Sequence, residues 1–373
     1  MAILYKQIYK ELFNQISQGF YKMGDQLPSE KEISNLYGVS RITSKRVLVE
    51  LEKNGYVERV RGKGTFLIKT IKSPIQDIQN SEEKTKGSIA IVFPSMNDFG
   101  NFSQTLDGCT KVICENNYKP NLYYSFHNLQ EVENLLKNLR DNHVKGIIYY
   151  PYSLLDSYEL LNSFKWAKIP LVTIDKYFTG LDIKAVCSDN FRGGRLATEY
   201  LINLGHKKIA FVSDVSLEGV SSVRDRYLGY CEALDKANIS YNPDLISIKK
   251  VNIEFLREYD ESYFVSEIRR LLEKGTTGII AINDKVASYI FKVAKILDIK
   301  IPKDLSVVGF DGIPYSEFQE IPLTSVLQDF TKIGREAASI IIDELEGKER
   351  LSITNLPVSL VVRASCSPPK KNE

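Results

Sequence analysis

A chain of 373 residues is too long for one ordinary hydrophobic core, and its 43% hydrophobic and 26% charged content is that of a multidomain soluble protein. No apolar run is long enough to span a bilayer, which argues against a membrane partner. The net charge of +2 hides an asymmetry: residues 1–69 carry twelve Lys and Arg against seven Asp and Glu, and the rest carries thirty-seven against forty. The first segment alone is therefore directed at a polyanion.

Residues 5–17 repeat Ile8, Leu12 and Ile16 at helical spacing, which predicts a helix with one buried stripe. The N-terminus has no basic head, apolar stretch and small-residue cleavage site, so it reads as mature protein of the cytoplasm. Leu27-Pro28-Ser29 offers a serine N-cap, Glu32 closes a capping box, and Ile33 with Leu36 supplies the inner face of a second, short helix. After Gly38, Ser40 caps a third helix over 41–54, with Val47, Leu48 and Leu51 inward and Arg41, Thr43, Lys45 and Arg46 towards its start. Two β-rich runs, 56–60 and 65–68, flank the basic turn Arg61-Gly62-Lys63-Gly64, whose glycines admit close backbone approach.

Helix, turn, helix and wing is the form that places a recognition helix in the major groove of double-stranded DNA. Arg41 and Lys45 share a face. Arg41 can donate two hydrogen bonds to guanine, a pairing that discriminates by roughly 1–3 kcal/mol. Lys31, Arg46 and Lys63 suit phosphates.

Residues 70–87 are polar, with a proline and no period, and read as a linker. Beyond them short apolar runs alternate with helical stretches, at 89–93, 121–126, 146–151, 170–175, 208–213, 278–283 and 305–311. That rhythm predicts two doubly wound α/β lobes over about 280 residues, with ligand beyond the carboxyl ends of the strands. The strand ends supply Asn97, Asp98, Phe99 and Phe102, then Tyr152 and Ser153, then Asp175 and Lys176. Asp189, Asn190, Asp214, Arg224, Arg226, Asn283, Asp284, Asp311 and Gln328 follow. Carboxylates, amides and aromatics together suit a sugar, whose hydroxyls both donate and accept while its C–H faces rest on rings. Any one of these polar residues is also a candidate helix cap, Asp189 and Asn283 above all.

The run LPSEKEISNLYGVSRITSKRVLVELEKNGYVERVRGKGTFL resembles the DNA-binding domain of the GntR family over about 60 residues. The resemblance implies DNA contacts by Ser40, Arg41, Thr43 and Lys63 with its flanking Gly62 and Gly64. Where that family usually has arginine followed by glutamate, this chain has Lys45 and Arg46. From 88 to 366, SDNFRGGRLATEYLINLGHKKIAFVS, RDRYLGYCEAL and the stretch from INDKVASYIF through VVGFDGIPYSEF to TSVLQDFTKIGREA resemble the sensor domain of the LacI/GalR family. This second resemblance implies effector contacts by Arg226 and Asp311, and by Asn283 and Gln328. The joined layout is that of AraR-type arabinose repressors. It implies an N-terminal winged helix-turn-helix over 1–69, a linker over 70–87 and a two-lobed, periplasmic-binding-protein-like α/β domain over 88–366, acting as a homodimer released from its operator by a sugar.

Catalysis is not expected: no G-x-G-x-x-G follows a strand, no H-E-x-x-H occurs, and His127, His143 and His206 are scattered. Nor is a cofactor or a metal. Cys109, Cys114, Cys187, Cys231 and Cys366 are odd in number and lack C-x-x-C spacing, which predicts buried, reduced thiols.

Overall fold

The computed structural model describes residues 2–17, 20–60, 63–68, 85–93, 99–124, 128–142, 144–151, 158–248, 260–317 and 320–370. The chain divides into two compact units, Met1–Thr85 and Lys86–Glu373.

In the first unit, helix α1 (Ala2–Ser17) buries Ile8, Leu12 and Ile16 against α3 (Arg41–Lys53), which returns Val47, Leu48 and Leu51. Each such side chain removed from water contributes about 1.5–3 kcal/mol. Helix α2 (Glu30–Tyr37) begins at Ser29, whose hydroxyl accepts from the Glu32 amide while the Glu32 carboxylate accepts from the Ser29 amide. This capping box was legible in the sequence. Leu36 was not placed correctly: it is 72% exposed, and the helix reaches the core through buried Ile33 and half-buried Tyr37. Strands β2 (Val57–Val60) and β3 (Gly64–Leu67) form the antiparallel wing, and β1 (Gln26–Leu27), not anticipated, pairs with β3 on its other edge.

The second unit contains two six-stranded sheets. The first lobe is built from β4 (Ser88–Val92), α4 (Phe99–Glu115), β5 (Lys119–Tyr123), α5 (Leu129–Asp141), β6 (Gly146–Tyr149), α6 (Tyr158–Trp166), β7 (Leu171–Ile174) and β8 (Lys184–Ser188). The second begins with α7 (Asn190–Asn203), β9 (Ile209–Ser213), α8 (Ser221–Lys236), β10 (Ile246–Ile248) and α9 (Glu261–Glu273). It continues with β11 (Gly278–Ala281), α10 (Asp284–Ile296), β12 (Ser306–Asp311) and β13 (Thr324–Leu327). The chain then returns to the first lobe for α11 (Phe330–Leu345) and β14 (Ile353–Leu356), and crosses once more to add β15 (Ser359–Val361) to the second. Strand order is β14-β8-β7-β6-β4-β5 in one sheet and β10-β9-β11-β12-β13-β15 in the other, every pair parallel except β13 with β15.

Helices cover both sheet faces, which is why strands such as GIIY and GIIA are apolar on every residue instead of alternating. The fifth strand runs over 119–123 and not 121–126 as the sequence suggested. The strand expected before Asp189 runs over 184–188, whereas strands 246–248, 324–327, 353–356 and 359–361 were not anticipated; each is short and carries polar residues.

One helix pair in each lobe touches backbone to backbone. A Cβ on Gly229 of α8 would lie 2.0 Å from the Phe191 carbonyl oxygen of α7, and one on Gly108 of α4 would lie 2.1 Å from that of Thr331 in α11. Cys109 and Cys187 are buried, Cys231 and Cys366 half-buried, and Cys114, against expectation, exposed. Burial pushes the Cys109 thiol up to about 12. His206 is a buried strut: one ring nitrogen meets the Thr277 hydroxyl at 2.8 Å, the other the Ser367 carbonyl at 2.9 Å. His127 and His143 lie outside the described residues. Among the described residues no helix is long and apolar enough to cross a membrane, and none form a metal-binding cluster.

Candidate DNA-binding face and effector cleft

Helix α3 starts from Ser40, whose hydroxyl accepts from the Thr43 amide at 3.3 Å and lies 3.0 Å from the Thr43 hydroxyl. These two residues, expected to contact DNA, are thus engaged first in starting the helix. With Ser44, Val47, Leu48 and Leu51 inward, Arg41, Ile42, Lys45, Arg46 and Val49 are exposed. The guanidinium of Arg46 lies 4.1 Å from the centre of the Tyr5 ring, so α1 orients it. Lys31 is exposed on α2 and Lys63 at the wing tip.

Gly64 has φ 127°, and a Cβ there would fall 2.2 Å from the Gln26 amide nitrogen, which donates to the Lys63 carbonyl at 3.1 Å. The neighbour this glycine admits is therefore Gln26 of the same unit. Glu30 and Arg59 form an ion pair that fastens α2 to β2. Arg61 and Gly62 lie outside the described residues.

In the second unit the residues beyond the strand ends form one constellation. Arg226, 5% exposed on α8, donates from Nε to the Asn190 side-chain oxygen at 2.8 Å and from Nη1 to the Ile282 carbonyl at 2.7 Å. Its Nη1 lies 3.6 Å from the Asp311 carboxylate, and its plane lies 3.7 Å from the centre of the Phe310 ring. Gln328 donates to the same Asp311 oxygen at 2.7 Å. The Gln328 side-chain oxygen is out of solvent and without a hydrogen-bond partner among the described residues, an acceptor awaiting a donor. Asn283 caps α10, accepting from the Val286 amide at 2.8 Å. Of the pair it forms with Asp284, the aspartate is the more deeply placed: fully buried, it accepts from the Ser325 hydroxyl at 2.6 Å and the Ile313 amide at 3.0 Å. Burial raises the Asp284 pKa to about 6.

The first lobe contributes a buried lysine and rings. Lys176 donates to the Pro151 carbonyl at 2.9 Å, lies 3.8 Å from the centre of the Tyr150 ring and faces the Asp175 carboxylate at 3.3 Å. Phe102 meets Phe93 edge-on at 4.8 Å, and Phe93 stacks with Tyr150 at 5.9 Å. The lobes also touch: the Tyr177 amide donates to the Ser221 hydroxyl, the Ser222 hydroxyl to Asp175, and the Tyr177 hydroxyl to Asp225 while accepting from Arg224. Burial raises the pKa of both Tyr177 and Asp225.

The structure thus brings Lys176, Arg224, Arg226, Asp311, Gln328 and Phe102 to the strand-end side of the unit. Phe99 opens α4. Asn97, Asp98, Tyr152 and Ser153 lie outside the described residues. Sequence reasoning missed Tyr150, which directly follows β6, and Tyr177, which directly follows Lys176. A shallow recess lined by Phe164, Pro170 and Lys184 opens where β7 and β8 begin and shares no residue with this set.

Residues 4–67 match the family model described as bacterial regulatory proteins, gntR family, and residues 198–366 match the periplasmic binding protein-like domain. The arabinose metabolism transcriptional repressor of Geobacillus stearothermophilus is 27% identical over 355 residues, covering 92% of this chain and 91% of that protein. The ribose operon repressor of Halalkalibacterium halodurans is 30% identical over 353 residues, covering 89% of this chain and 95% of that protein. Among solved structures, a LacI family transcriptional regulator from Enterococcus faecium with bound ribose superimposes with a TM-score of 0.63 at 25% identity, covering 76% of this chain and 100% of that one.

Proposed function

Because the chain belongs to the bacterial transcriptional repressors that join a gntR-type DNA-binding domain to a periplasmic-binding-protein-like domain, we propose that it represses carbohydrate-utilisation genes and releases its operator on binding an uncharged sugar, a pentose being the first candidate. The observation that carries this reading is that Arg226, Asp311 and Gln328 gather beyond the strand ends of the second lobe and the rings of Phe93, Phe102 and Tyr150 beyond those of the first, with Tyr150 and Ser222 both donating to Asp175 between them. One group hydrogen-bonds hydroxyls in fixed directions; the other accepts a C–H face.

The charge balance favours a neutral effector. Lys176 is paired with Asp175 at 3.3 Å, Arg224 with Asp225 at 3.6 Å and Arg226 with Asp311 at 3.6 Å. A phosphate would have to displace a carboxylate to find a cation here. Effector binding stabilises one arrangement of the lobes, and a cytoplasmic homodimer transmits it to the spacing of its two DNA readers, each addressing one half-site. The domain limits 1–69 and 88–366 are part of this proposal, as are DNA contacts by Arg41, Lys45, Lys31 and Lys63.

The test is thermal shift with L-arabinose, D-ribose and their 5-phosphates, followed by anisotropy on duplex DNA at stepped salt concentrations. A free pentose should raise Tm and weaken duplex binding, its phosphate should do neither, and binding should fall steeply with salt. A shift with the phosphates alone would reverse the effector class, and salt-insensitive or absent duplex binding would remove the DNA reading.

A further inference from the structure

The exposed side of α3 is not uniformly polar. Ile42, second residue of the helix, is 82% exposed, and Val49, two turns on, is 39% exposed. They lie on one line of the helix, about 10 Å apart, with Lys45 between them and Arg41 beside the first. An isoleucine left in water at the head of a helix contributes nothing to the core, and its branched side chain lowers helix propensity. Leu36 of α2 is also exposed, but the residue one turn before it is Glu32, whose carboxylate repels a duplex. Ile42, by contrast, is framed by cations that attract one.

We propose that Ile42 reads the C5-methyl group of a thymine in the major groove, as the apolar member of a base-reading row whose polar members are Arg41 and Lys45. That methyl is the apolar feature of the groove, set beside the acceptors and donors that arginine and lysine address. The leading residues of a recognition helix are the ones that reach base edges. The proposal rests on α3 being the recognition helix of the function proposed above.

The experiment begins with selection of a randomised duplex library by the full-length protein at low salt. Each thymine of the enriched duplex is then replaced in turn by uracil, which deletes the methyl and leaves base pairing intact. Affinities are measured by anisotropy for the wild type, Ile42→Ala and Ile42→Val, with Tm recorded for all three. The expected result is one thymine per half-site whose replacement weakens the wild type about fourfold, the worth of one buried methyl-sized group. Ile42→Ala should bind the thymine and uracil duplexes equally, Ile42→Val should recover most of the difference, and Tm should not move. If no thymine shows this wild-type-specific loss, or if Ile42→Ala shows the same loss, the assignment is overturned while DNA binding stands. If no duplex is enriched, the DNA reading falls and takes the assignment with it.

Discussion

Asp175, just beyond β7 of the first lobe, and Asp311, at the end of β12 of the second, both have positive φ, 68° and 108°. A non-glycine residue held there costs about 1–3 kcal/mol and persists where its surroundings fix it. The surroundings differ. Asp311 is held by Arg226 of its own lobe and by Gln328, just beyond β13 where the chain leaves that lobe, with Asn190 and the Ile282 carbonyl holding the arginine in turn. Asp175 accepts from Tyr150 of its own lobe and from Ser222 of the other. The second lobe thus carries a hydrogen-bonding half that is already assembled, whereas the first carries aromatic surface and a carboxylate that ties the lobes together. On the function proposed above, an effector would take its orientation from the second lobe and its apolar contact from the first.

The sharpest way to break that division is Arg226→Ala, which leaves Asp311 without its cation. Urea unfolding should register a loss of about 3–5 kcal/mol, and the pentose-induced rise in Tm should vanish; a variant that still responds to sugar would show that orientation comes from elsewhere. Next come Gly229→Ala and Gly108→Ala, which force equivalent helix pairs apart. Each should cost about 1–3 kcal/mol in the same assay, and similar values would establish that the lobes share a scaffold while differing in chemistry. Phe102→Ala removes one ring of the first-lobe wall and should weaken sugar binding roughly tenfold, about 1–1.5 kcal/mol by calorimetry, without abolishing it.

A separate effect is a pH dependence arising in the second lobe. Asp284, with a folded pKa of about 6 against 3.8 when exposed, disfavours its ionised form in the fold. Its contribution to stability is whole below pH 4 and is lost as pH rises through 6. His206, lowered by burial, acts in the opposite sense and loses stability as pH falls. The Tm of wild type minus that of Asp284→Asn should therefore decline between about pH 4 and 6.5 and stay level above. A flat difference across that range would mean that the carboxylate keeps its charge throughout.

Periodicity and capping carried most of the architecture. Ser29 with Glu32, Ser40, and the all-apolar strands are local signals, and local signals are readable one residue at a time. Leu36 failed because helical spacing says which residues share a face, not whether a partner covers it. Gly64 was read as a residue that admits DNA, but its clearance is demanded by Gln26, thirty-eight positions away and distant only in sequence. The cleft was legible where a polar residue ends a strand, as at Asp311 and Lys176. It was illegible where a main-chain carbonyl, that of Ile282, or a residue from the opposite lobe, Ser222, completes the geometry, because neither leaves a mark in residue type.

The chain crosses between lobes at 189, at 328–329 and at 357–358, so α11 and β14 join a lobe whose other strands were laid down some 140 residues earlier. The ribosome therefore delivers the second lobe nearly whole while the first still lacks one edge strand and the helix that packs on α4. In the growing chain the lobe that starts first stays open longest, and the apolar residues Ile333, Ala337 and Ile341 are the ones it awaits. Nascent chains halted near residue 330 should hold a lobe open to proteases between 88 and 188.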